Sequence, residues 1–129
     1  MSTAATPETD SSPLNFNWYS ETTTSEYYIY MHFAEFEQLK ANQSRSFNIT
    51  INGEPFHGPC VPEYLSTDTL SRPSALTIAD NYEVSIFKTE NSALPPILNA
   101  VEIYSVKNLS QSETDQQDGM LLYTYASNL

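Results

Sequence analysis

The sequence predicts an all-β protein, an antiparallel β-sandwich, on three observations. Apolar and polar residues alternate with a period of two over several short runs. Proline and glycine breakers separate those runs at fairly regular intervals. No heptad and no internal repeat runs through the 129 residues, a length that suits one ordinary domain.

The elements follow in order. The polar segment 1–13 carries Ser, Thr, Glu and Pro and reads as a mobile end or linker. In "LNFNW", Leu14, Phe16 and Trp18 share one face, with Asn15 and Asn17 on the other. "YYIYMHFA" carries bulky groups on both faces, as a central strand does, and its rings are expected in the core. "FAEFEQLKANQ" reads as a strand ending near Glu35 and then a turn or short helix. In "FNITIN", Phe47, Ile49 and Ile51 face in, while Asn48, Thr50 and Asn52 face water; Asn52-Gly53 marks a tight turn. Gly58-Pro59, Pro62 and Pro73 then mark loops. "NYEVSIFK" alternates again, and "ILNAVEIYSV" reads as a second central strand after Pro95-Pro96. The sandwich lobe is thus expected over 14–108, with 109–129 as a polar, divergent tail.

Charge excludes several functions. Sixteen acidic against five basic residues give a net charge of −11. Nucleic acid and anionic lipid need clustered cations, whereas Lys40, Arg45, Arg72, Lys88 and Lys107 are scattered. No apolar run is long enough to span a bilayer, and the start "MSTAATPETDSSP" lacks the basic and apolar regions of a signal peptide.

No catalytic pattern emerges. Cys60, the single cysteine, has no disulfide partner within the chain, and His57 would point away from it on a strand. Glu35 and Glu37 lie two apart, so their carboxylates project the same way and flank no glycosidic bond; they read as a solvated strand end. His32 and His57 lack metal-ligand spacing, and His32 reads as a hydrogen-bonded structural residue in a strand buried on both faces. Three dispersed glycines form no phosphate loop, and no nucleophile-elbow motif is present. Neither metal nor cofactor is expected.

Three Asn-X-Ser/Thr sequons start at Asn42, Asn48 and Asn108. Asn42 falls in an expected turn, Asn48 on an expected wet face, and Asn108 where the last strand gives way to polar sequence. The loop residues Phe56, His57 and Tyr64 are freer of core duties than the strand rings. They are the sequence's candidates for ligand contact.

The segments "STAATP", "PLNFNW", "YYIYMHFAEFEQLKANQSRSFNITING", "GPCVPEYL", "PSAL" and "KTENSALPPILNAVEIYSV" occur in the order and spacing of a known family. From about Met1 to about Asp118, the chain resembles the second half of the malectin-like extracellular region of plant leucine-rich-repeat receptor-like kinases. The resemblance implies an antiparallel jelly-roll-like β-sandwich of lectin ancestry, here a single lobe, on the extracellular face of the plasma membrane, with the kinase elsewhere in the parent. It implies a non-catalytic ectodomain module that senses cell-wall carbohydrate. The alternative is a platform for a secreted peptide, protein or co-receptor, and a further one is a truncated receptor fragment without independent function. The chain departs from the family in its single lobe, in Cys60, in Ala93 where a sequon is common, in the missing glycines near "LTIADNYE", and after Gly119. That ending, with Met1 at what is expected to be an internal position, reads as a receptor fragment without signal, repeats, anchor or kinase.

Overall fold

The computed structural model describes residues 6–9, 12–108 and 120–128, with backbone alone for 107–108 and 120–128. Eight strands are present: β1 (Leu14–Tyr19), β2 (Glu26–Ala34), β3 (Phe47–Ile51), β4 (Glu54–Cys60), β5 (Thr67–Leu70), β6 (Asn81–Lys88), β7 (Ala100–Asn108) and β8 (Met120–Asn128). They form two four-stranded antiparallel sheets, ordered β1-β6-β3-β4 and β5-β2-β7-β8. Among the described residues there is no helix, so the segment after Glu35 takes the turn and not the helix.

The sheets meet through the inward members of each alternating run. Tyr27, Ile29, Met31 and Phe33 of β2 and Val101 and Ile103 of β7 face Phe47, Ile49 and Ile51 of β3 and Tyr82, Val84 and Ile86 of β6. Each such side chain contributes about 1.5–3 kcal/mol when fully buried. Phe33 meets Phe47 across the sandwich at 5.0 Å between ring centroids, and Tyr27 meets Tyr82 at 5.2 Å. Leu14, Phe16 and Trp18 of β1 are half-buried against this core, and Trp18 stacks on Tyr82.

The β3–β4 hairpin turns at Asn52-Gly53, with φ of 52° and 79°. Two successive positive φ values suit a tight hairpin whose twist matches its strands. The Asn52 side chain ties the turn to β6: its Oδ1 accepts from Glu83 N–H at 2.8 Å and its Nδ2 donates to Asn81 O at 3.1 Å.

Three strands lie where the sequence reads as loop or tail. β4 contains Pro55, Gly58 and Pro59 and is paired to β3 through shifts in register. Edge position makes this tolerable, because a proline there withholds no hydrogen bond from a second neighbour. β5 is a short edge strand of polar sequence, "TDTL". β8, within the stretch 109–129, pairs with β7 from Ala100↔Asn128 to Asn108↔Met120.

One end of the sandwich is held by an ion pair. Arg45 Nε donates to Glu35 Oε1 at 2.6 Å and Nη2 to Glu35 Oε2 at 3.2 Å; Nη1 donates to Pro95 O at 2.7 Å. Both side chains are buried, at 7% and 3% exposure. Glu35 is therefore not a solvated strand end. Glu37, exposed, reaches the same guanidinium at 3.3 Å, so the two carboxylates converge on one cation.

Cys60 is buried, and burial pushes its thiol up to about 11, with the Asp68 carboxylate adding to the shift. A thiol that stays protonated at neutral pH is a poor nucleophile. Iodoacetamide at pH 8 is expected to leave Cys60 unmodified in the folded protein and to label it within minutes in denaturant. Mass spectrometry reads the difference, and rapid labelling of the native state would contradict the burial.

Candidate functional site

The two faces of β2 are not alike, although the sequence puts bulky groups on both. Its odd-numbered residues from Tyr27 to Phe33 are buried, whereas Tyr28, Tyr30 and His32 are half-buried on the outer face of the sheet. Antiparallel register brings β7 residues beside them: Tyr28 opposite Tyr104, Tyr30 opposite Glu102 and His32 opposite Ala100. On the other side, β5 places Thr69 opposite His32. Side chains paired across strands share one face, so an aromatic and polar patch assembles from three strands.

Its geometry is specific. The Tyr30 and Tyr104 rings meet edge to face, with centroids 5.3 Å apart and planes at 87°. With Tyr28 and Val106 they line a shallow depression of about 280 Å³. Beside it, His32 Nε2–H donates to Glu102 Oε1 at 2.7 Å, and His32 Nδ1 lies 2.9 Å from the Thr69 hydroxyl. The Tyr104 hydroxyl donates to Glu102 Oε2 at 3.0 Å.

These bonds set the electrostatics. Hydrogen bonds from His32 and then Tyr104 hold the Glu102 carboxyl below the usual carboxylate range. The hydrogen bond to Glu102 raises the Tyr104 phenol, which thus keeps its proton. The result is a carboxylate fixed in its ionised form, flanked by two rings set as a corner. Such a surface accepts hydrogen bonds and offers apolar faces, and it positions no nucleophile beside a base. Among the described residues, no group of three potential metal-ligating side chains occurs.

The residues singled out in the sequence lie elsewhere and apart. Phe56 is buried in the core, with the Arg72 guanidinium 4.6 Å from its ring centroid. Arg72 Nη2 donates to Pro55 O at 2.9 Å and to Phe56 O at 2.7 Å, which closes one wall of a cleft of about 430 Å³. His57 is exposed on the other side of β4 and borders a different hollow, with Phe33, Cys60 and Asp68. Tyr64 is 48% exposed in the β4–β5 loop, where its backbone bridges to Glu35. The three do not form one site.

The outer tyrosines are missed by the sequence reading because β2 is apolar at nearly every position. Alternation gives no direction there. The signal available is Glu102 within "NAVEIYSV": an acidic residue in an apolar strand marks the parity that faces water, and Tyr104 shares it.

Of the sequon residues, Asn42 is exposed in the β2–β3 loop. Asn48 is half-buried on β3, and its side chain packs directly on the backbone of Gly58. Asn108 ends β7, and its side chain is outside the described residues.

The family model for the malectin-like domain matches residues 1–106. Curated relatives from Arabidopsis thaliana include Receptor-like protein kinase At5g59670, 42% identical over 123 residues, covering 92% of this chain and 14% of the relative. Probable LRR receptor-like serine/threonine-protein kinase At1g51880 is 43% identical over 118 residues, covering 90% of this chain and 14% of the relative. LRR receptor-like serine/threonine-protein kinase IOS1 is 39% identical over 120 residues, covering 92% of this chain and 13% of the relative. The chain thus spans only about one-seventh of the length of the curated relatives it matches. No solved structure matches it significantly.

Proposed function

The chain belongs to the malectin-like domain family, and on that premise we propose that it is a non-catalytic recognition module for cell-wall carbohydrate in a receptor-like kinase ectodomain. In that setting it stands on the extracellular face of the plasma membrane, with the relatives' kinase activity carried by other parts of the parent. Among the described residues, no helix is long and apolar enough to cross a membrane.

The observation that supports carbohydrate is the Tyr30–Tyr104 corner beside the Glu102 carboxylate on an outward sheet face. A pyranose has apolar C–H faces and equatorial hydroxyls. Tyrosine rings suit the first, and an ionised carboxylate with free lone pairs suits the second. Calorimetric titration of the chain with a panel of plant cell-wall oligosaccharides tests the reading. Tyr30→Ala is expected to weaken binding at least about tenfold, which is about 1.4 kcal/mol, while Tyr64→Ala leaves it unchanged. Undiminished binding by the Tyr30 variant would remove the sheet face from consideration.

A second reading, protein or peptide recognition, rests on a different surface. Phe36, Val61, Tyr64 and Leu65 are exposed at 44%, 66%, 48% and 65%. The Glu35↔Tyr64 bridge holds their two loops together, and Leu65 stands at φ 57°. A bulky residue in the left-handed region is uncommon and costs of order 1–3 kcal/mol. Such strain at an exposed apolar residue suits a contact surface. Loss of partner capture by Leu65→Asp, with sugar binding intact, would favour this reading.

Secretion behind an added signal sequence is expected to yield folded protein with a glycan at Asn42. Asn48 is expected to stay unmodified, because its side chain has Gly58 directly against it. Peptide mass mapping distinguishes the two; a native-like product modified at Asn48 would contradict the packing.

A further inference from the structure

The ligand's charge class is legible from what surrounds the tyrosine corner. The described side chains on this outer face include two carboxylates, Glu26 at the start of β2 and Glu102 on β7, and one histidine. None of the chain's five lysines and arginines is shown there. Lys40 lies in the β2–β3 loop, Arg45 is buried against Glu35, and Arg72 covers Phe56. Lys88 ends β6 in the other sheet, and the side chain of Lys107 lies outside the described residues. His32 is committed at both ring nitrogens, to Glu102 and to Thr69.

A sugar carboxylate is recognised by guanidinium, ammonium or free N–H donors, and a fixed carboxylate at the same place repels it. The net charge of −11 adds to that repulsion over longer range. Glu102 has the opposite competence. Each of its oxygens accepts one internal hydrogen bond, and an ionised carboxylate has roughly four acceptor positions. Two sugar hydroxyls on adjacent carbons supply donors for the remaining two.

We propose that this face takes a neutral glycan presenting a vicinal diol to Glu102, and that it excludes glycans bearing free uronic acids. The proposal rests on the carbohydrate reading above and specifies its ligand class.

Esterification provides the test, because it removes charge while leaving the sugar ring in place. The full chain is titrated, at near-physiological salt and neutral pH, with neutral gluco-, xylo- and manno-oligosaccharides, with oligogalacturonate, and with its fully methyl-esterified form. Binding to at least one neutral oligosaccharide, with oligogalacturonate at least about tenfold weaker and the methyl ester regaining affinity, is the expected result. Glu102→Gln is expected to weaken neutral binding severalfold and to narrow the gap to the uronate. Oligogalacturonate binding as tightly as neutral sugar would overturn the charge-class proposal and leave carbohydrate recognition standing. Binding of no sugar at all would overturn both.

Discussion

Arg45→Ala is expected to lower the stability of the domain by about 3–5 kcal/mol, the usual cost of stranding one member of a buried ion pair. Glu35 is only 3% exposed, and its two carboxylate oxygens accept from Arg45 Nε and Nη2 at 2.6 and 3.2 Å. Removing the guanidinium leaves a buried carboxylate without its cation and frees Pro95 O, which Nη1 holds at 2.7 Å. The loops at 35–46 and 89–99 lose a shared anchor. Replacing both partners, as Glu35→Leu with Arg45→Met, is expected to recover most of the loss, because no charge is then stranded. Urea midpoints at constant slope report both results. A single variant as stable as the parent would show that water reaches Glu35.

Gly58→Ala is expected to cost about 2–4 kcal/mol, for two reasons that act together. Gly58 sits at φ 150°, where a side chain is strained. A Cβ there would also overlap the Asn48 side chain and stand 3.0 Å from Asn48 Cα. The side-chain overlap can relax by rotation, but the backbone approach cannot. Adding Asn48→Ala to Gly58→Ala is therefore expected to restore only part of the stability. Full recovery in the double variant would mean that β3 and β4 do not approach so closely. Denaturant midpoints again supply the measurement.

Much of the architecture was legible in residue order, for a physical reason. Where one face of a strand is wet, alternation declares both the strand and its inward side, as it does at Phe47, Ile49 and Ile51 and at Tyr82, Val84 and Ile86. The Asn52-Gly53 turn is equally plain, since few dipeptides accept two positive φ values. β4 was hidden because Pro55, Gly58 and Pro59 are loop residues in any local reading, and only its edge position beside β3 makes them acceptable in a strand. Glu35 was hidden because its partner is ten residues away across a loop.

The candidate site was less legible than the fold. A loop position suggested freedom for Phe56, but Arg72, arriving from a distant segment, covers its ring. In β2, every position from Tyr27 to Phe33 is bulky, so parity cannot be assigned from that strand alone. It is set by β7, through the pairing of Tyr28 with Tyr104 and Tyr30 with Glu102. Long-range register thus turns half of a ring-rich strand outward, where the core reading expected it inside.

The central claim, recognition at the outer face of the β5-β2-β7-β8 sheet, is tested most directly by mapping amide and aromatic NMR shifts as a neutral oligosaccharide is added. Saturable changes centred on Tyr28, Tyr30, Glu102 and Tyr104 are the predicted result. Changes centred instead on His57, Tyr64 and Leu65, with the sheet face unaffected, would contradict it.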